Sequence, residues 1–107
     1  MKNILILGAG KIGSLISGLL AESGSYRVLL ADSRHGAALE VADAHGLKTI
    51  TAFDLDVTDR DALNRKISEH SPVAIISSLP YYCNLPVAET ARELGLHYFD
   101  PVSYTHL

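Results

Sequence analysis

Three glycines at fixed offsets stand where an anion could be held: Gly8, Gly10 and Gly13 in the run Gly8-Ala9-Gly10-Lys11-Ile12-Gly13. An apolar block, Ile4-Leu5-Ile6-Leu7, precedes the run and a helical pattern follows it. The chemistry this spacing suits is the gripping of a pyrophosphate rather than the breaking of a bond. Gly8 permits a tight turn, Gly10 lets backbone approach the anion, and Gly13 lets the helix lie close to the strand. The unpaired N–H groups and the dipole of the new helix then face negative charge. Glycines at these offsets also serve a plain strand–helix turn, and their place between a strand and a periodic helix is what favours binding. Lys11 and Ile12 lie inside the loop. Lys11 can touch phosphate there, with a solvated lysine as the plainer alternative.

Asp32 ends the second apolar block, 19 residues beyond Gly13, where a dinucleotide fold wants an acid for the adenosine ribose. A carboxylate there accepts from the 2′- and 3′-hydroxyls and repels a 2′-phosphate, which favours NAD. Arg34, two residues on, could pair with such a phosphate and leaves NADP open. After the third block, Asp56 and Val57 are placed to flank an adenine, a turn plus helix cap being the competing reading. After the fourth comes Ser77-Ser78-Leu79-Pro80-Tyr81-Tyr82-Cys83. Ser77, Ser78 and Leu79 are expected beside the nicotinamide ribose. Tyr81, a weak catalytic candidate, and Cys83 could reach toward substrate, with packing as the competing role.

These residues need a frame that brings four loops to one edge. Ile4–Leu7, Val28–Ala31, Thr49–Phe53 and Val73–Ile76 are short apolar runs, with His97–Phe99 a fifth. Near-continuous apolar runs suit strands covered on both faces. Helical patterns separate them. Ile12, Leu15, Ile16, Leu19 and Leu20 form a stripe expected to face the sheet. Gly24 should close that helix, and a second should run from about Gly36 to His45 and end at Gly46. Thr58 with Asp61 resembles a capping box, with Leu63 and Ile67 as the buried edge of the helix that follows. Asn84 is expected to cap the fourth helix, with Pro86 in its first turn and Gly95 at its end. Alternating strands and helices predict an α/β fold: a Rossmann-type doubly wound parallel sheet, strand order 3-2-1-4-5, in a three-layer α/β/α sandwich. The first and fourth strands are then neighbours at the switch point, so the glycines and the loop after Ile76 line one crevice.

Composition narrows the field. The 107 residues suit one domain. With nine basic against twelve acidic residues and a net charge of −3, no basic face is offered to nucleic acid or an anionic membrane. No run is long enough for a membrane span. The single Cys83 excludes an internal disulfide and suits a reducing cytoplasm. His35, His45, His70, His97 and His106 lack metal-ligand spacing, so no metal site is expected. No nucleophile elbow or P-loop lysine is present.

With the glycine loop, Asp32, Leu55-Asp56-Val57-Thr58-Asp59 and Ser78-Leu79-Pro80-Tyr81-Tyr82-Cys83-Asn84 in place, the chain resembles the saccharopine dehydrogenase family over about Lys2 to Asp100. The resemblance is greatest to bacterial members related to lysine 6-dehydrogenase and saccharopine reductase. It implies a nucleotide-binding domain over 1–100 of an oxidoreductase of lysine-type metabolism, moving hydride between NAD(P) and the CH–NH carbon of an amino-acid derivative. It also implies a substrate domain that residues 1–107 do not supply, and hence an inactive chain in isolation that could pair as a homodimer. Family members are often NADP-binding, against the preference read from Asp32. Residues 101–107 depart from the pattern and are expected to be a truncated or non-native tail. Two rivals share the fold. An NAD-sensing, non-enzymatic module of a potassium transport system usually resembles Gly-Asp-Ala-Thr where this chain has Leu55-Asp56-Val57-Thr58. An extended short-chain reductase or epimerase usually spaces its glycines Gly-x-x-Gly-x-x-Gly.

Overall fold

The computed structural model describes residues 2–46, 49–79 and 81–100, without the side chains of Tyr81, Tyr82 and Asn84. Five strands alternate with four helices: β1 (Lys2–Leu7), α1 (Lys11–Glu22), β2 (Tyr26–Asp32), α2 (Ala37–His45), β3 (Ile50–Asp54), α3 (Arg60–His70), β4 (Ala74–Ser77), α4 (Tyr81–Glu93) and β5 (His97–Phe99). All four strand pairings are parallel, in the order β3-β2-β1-β4-β5. The topology is the one the alternation predicts.

Strand periodicity divides the core in two. Ile4, Ile6, Val28 and Leu30 point to one side with Ala21 of α1 and Ala38 and Ala42 of α2. Leu5, Leu7, Leu29 and Ala31 point to the other, against Leu63 and Ile67 of α3 and Val87 and Ala91 of α4. Burying each of the large aliphatic side chains contributes about 1.5–3 kcal/mol, and the two central strands are apolar on both faces for this reason.

Three local expectations are corrected. The apolar stripe of α1 does not face the sheet as a whole. Ile16 and Leu20 lean on the core, but Ile12, Leu15 and Leu19 point outward, and the buried residues of α1 are Gly13, Ser17, Gly18 and Ala21. A helix that must lie close to the strand before it presents its smallest residues there, whatever the apolar period says. Helix α3 is capped not by Thr58 but by Asp59, whose carboxylate accepts the Ala62 N–H at 3.1 Å. Helix α4 starts at Tyr81, so Asn84 and Pro86 lie inside it rather than at its entrance. Pro86 withholds one helical N–H and sits on an exposed position of the helix.

Candidate functional site

The carboxyl ends of β1, β2, β3 and β4 are sewn together by backbone bonds. Gly8 N–H donates to the Ala31 carbonyl, Leu55 N–H to that of Asp32 and Ser78 N–H to that of Leu7, each at 2.8 Å. The loops after these strands therefore meet at one edge.

Within the glycine loop the three glycines have different reasons to be there. Gly8 takes φ +99°, a left-handed conformation that disfavours side chains. A Cβ on it would also come within 2.6 Å of Ser78 Oγ. A Cβ on Gly13 would lie 1.8 Å from the Gly8 carbonyl oxygen. Gly10, the N-cap of α1, has φ −78°, open to any residue, and a Cβ there would meet nothing within 4 Å. The protein itself makes no demand for glycine at Gly10. The space in front of it is open, at the positive end of a helix whose first N–H groups lack partners in the helix.

Two braces hold the loop. Asp32 Oδ2 accepts the Ala9 N–H at 2.7 Å. Ser78 Oγ donates to the carbonyls of Leu7 and Gly8, each at 3.1 Å. Asp32 is buried and also carries Arg34: its Oδ1 accepts the Arg34 backbone N–H at 2.8 Å and Nε at 3.0 Å, and its Oδ2 accepts Nη2 at 2.9 Å. The guanidinium beside it, helped by the Ala9 N–H, outweighs burial and holds the carboxyl down at about 2. Asp32 is thus a fixed negative charge at the end of β2. The Arg34 side chain over it is 67% exposed.

Between these loops lies a cavity of about 260 Å³ lined by Asp32, Ser33, Asp56, Val57, Leu79 and Cys83 over a floor of Leu7 and Ala31. A second, of about 290 Å³, adjoins it through Val57, Thr58 and Cys83 and reaches Arg60 and Pro86. Each has room for a nucleobase rather than a whole dinucleotide, since pockets for drug-sized ligands run to about 300–1,000 Å³. Asp56 Oδ1 accepts both the N–H and the hydroxyl of Thr58, at 3.0 and 2.6 Å, which pulls its carboxyl below the usual range.

The structure gathers Asp32, Asp56, Val57 and Leu79 around one cavity and sets Gly8, Gly10, Lys11, Ile12 and Gly13 along the neighbouring loop. Lys11 and Ile12 open α1 and are both exposed. Ser78 braces Gly8 from below. Ser77 is wholly buried, and its hydroxyl is within bonding reach of Tyr98 and of the Leu79 N–H, so it faces the interior. Tyr81 begins α4, but its side chain and residues 101–107 lie outside what is described. Arg60, expected only to lie away from the nicotinamide end, lines the second cavity, and its Nη2 donates to the buried Thr90 hydroxyl at 2.9 Å. Its place in the first turn after Asp56-Val57 was the available signal. Among the described residues no three His, Cys, Asp or Glu side chains come together as a metal site, and no helix is long and apolar enough to cross a membrane.

The frame, the braced glycine loop and the acid at the end of β2 can be set against known proteins. Residues 4–106 match the family described as the saccharopine dehydrogenase NADP-binding domain. The chain belongs to that family. The yeast saccharopine dehydrogenase that forms L-glutamate superposes with a TM-score of 0.80 at 28% identity, over 94% of this chain and 21% of its own. The 2-dehydropantoate 2-reductase of Pyrococcus abyssi is 33% identical over 91 residues, 85% of this chain and 29% of that protein. The Bordetella bronchiseptica enzyme WbmG, solved with NAD, shares the fold at a TM-score of 0.74 and 20% identity, over 92% of this chain and 36% of its own. The chain therefore spans less than a third of the curated reductase and about a fifth of the saccharopine dehydrogenase. As a member of this family it is an NAD(P)-binding domain.

Proposed function

We propose that this saccharopine dehydrogenase-type domain binds the dinucleotide with its pyrophosphate against Gly10 and its adenosine end in the cavity between Asp32 and Asp56. The observation that carries the reading is the contrast between Gly13 and Gly10. The fold itself forbids a side chain at Gly13, whereas Gly10 fronts open space that only an incoming ligand has reason to need. Asp32 would accept from the adenosine ribose hydroxyls, and Asp56, Val57 and Leu79 would flank the base. The fixed charge of Asp32 would meet a 2′-phosphate unfavourably, so NAD is the preferred cofactor, with the paired Arg34 able to offset that charge.

The cofactor, when bound, supplies a hydride donor or acceptor. In the proposed reaction the hydride passes between the nicotinamide and the CH–NH carbon of an amino-acid derivative. This rests on family membership and on the likeness to saccharopine dehydrogenase. The groups that hold the amino acid would come from a further substrate domain, since the described residues line only the nucleotide side of the crevice. The deciding test is fluorescence titration of NADH against wild type and Gly10→Val, with circular dichroism confirming that both fold. Affinity should fall at least tenfold, a loss of about 1.4 kcal/mol. Equal affinity in two folded proteins would remove the assignment.

A further inference from the structure

The outward face of α1 has the wrong character for a solvated helix. Its exposed positions are Lys11, Ile12, Leu15, Leu19 and Glu22. The three aliphatic ones are 52%, 61% and 60% exposed, respectively. A helix with one face on the core ordinarily turns polar residues to water. Here three large apolar side chains run between one positive and one negative charge. Positions 12, 15, 19 and 22 follow i, i+3, i+7 and i+10, the seam spacing of two packed helices.

The two charges point to the occupant. Lys11 lies in the first turn and Glu22 in the last, each at the end of the helix dipole that disfavours it, and α1 has no acid at its start or base at its end to compensate. An antiparallel neighbour of the same sequence reverses both penalties, because each Lys11 then meets the other helix's carboxyl end and its Glu22. A two-fold axis level with Ser17 sets Leu15 opposite Leu19 of the second copy and Ile12 beside the second copy's Glu22. The face is complementary to itself, which is what a two-fold interface requires. A further exposed apolar side chain lies on the same side of the sheet. Phe99, in register with Ile76 of the α1-side core, is 57% exposed.

We propose that the outer face of α1 is an interface between two copies of this chain, with the two α1 helices packed antiparallel through Ile12, Leu15 and Leu19. The interface stands apart from the adenosine cavity but begins at Lys11 and Ile12 of the glycine loop, so its test uses Leu15 and Leu19, further along α1.

Sedimentation velocity on the chain across the micromolar range tests it, with circular dichroism as the check on folding. Wild type should show a reversible monomer–dimer equilibrium. Leu15→Lys and Leu19→Glu should each weaken it at least tenfold, about 1.4 kcal/mol, while NADH affinity stays unchanged. The double variant sets each new ammonium against a new carboxylate of the other copy, and should recover dimerisation relative to either single variant. A wild type that stays monomeric would overturn the proposal, as would a dimer insensitive to both substitutions. So would a double variant weaker than both singles, since that outcome excludes the antiparallel register.

Discussion

The guanidinium of Arg34 lies across the carboxylate of Asp32, with Nη2 2.9 Å from Oδ2 and Nε 3.0 Å from Oδ1. If Asp32 reads the adenosine ribose as proposed, both charges stand there together and cofactor choice becomes a contest between them. Wild type should bind NADH at least tenfold more tightly than NADPH, about 1.4 kcal/mol. Arg34→Ala should widen that gap by removing the cation that pairs with Asp32, and Asp32→Ser should narrow or reverse it. Paired titrations of the three proteins with both cofactors measure this. A wild type preferring NADPH tenfold would show that Arg34 governs the site.

Acid should reveal the same pair. The folded-state pKa of Asp32 is about 2 against 3.8 ordinarily. A depressed value means that the stabilisation is complete above the unfolded value and is lost as pH falls through the folded one. The shift corresponds to about 2 kcal/mol, trimmed toward about 1 by the exposure of Arg34. Urea unfolding of wild type and Asp32→Asn should differ by that amount at about pH 7, and the difference should shrink at about pH 2.5. A gap of constant size would mean that the carboxylate charge contributes nothing.

Gly13 and Gly10 should separate folding from binding. Gly13→Ala forces a Cβ onto the Gly8 carbonyl and should cost about 3 kcal/mol, in the range of overpacked sites. Gly10→Ala has room and a compatible backbone, and should stay within about 0.5 kcal/mol of wild type. Denaturant midpoints decide between them. Equal losses would refute the geometric distinction on which the binding assignment rests.

The chain alone should bind NADH yet turn over nothing. Hydride transfer needs the two carbons held about 3–3.5 Å apart and aligned, and the described residues offer no group placed for an amino acid's carboxylate at the nicotinamide end. Arg34 is bound to Asp32, and Arg60 reaches Thr90 beyond the adenosine side. Assays of NADH formation with lysine and saccharopine should stay at background. Saturable turnover would place the catalytic groups within these 107 residues and turn attention to Tyr81 and Cys83.

How much could be read beforehand depended on the kind of signal. The strand runs and the glycine offsets report local chain geometry, and they placed the sheet, its order and the loop correctly. That Asp32, Asp56 and Val57 would come together at one cavity was legible because each lies at or just after a strand end, and parallel topology brings strand ends together. The outward turn of Ile12, Leu15 and Leu19 was not legible. Apolar period marks a helix, but closeness to β1, imposed by Gly13, decides which face lies inward. Asp59 replaced Thr58 as cap because two adjacent residues can both accept a helical N–H and only the entry angle of the chain chooses. Nor does residue type show that Ser78 would turn its hydroxyl to Leu7 and Gly8 while Ser77 turned inward, since alternation along β4 sets their opposite directions.

The two braces on the glycine loop, from Asp32 to Ala9 and from Ser78 to Leu7 and Gly8, have a kinetic consequence. A loop tied at both flanks has little freedom left, so little ordering entropy would be lost when a nucleotide docks on it. Capture of the nucleotide then has no slow rearrangement to wait for. Stopped-flow traces should rise in a single phase whose rate grows linearly with NADH concentration, and differences in affinity between cofactors should reside in how quickly each one leaves.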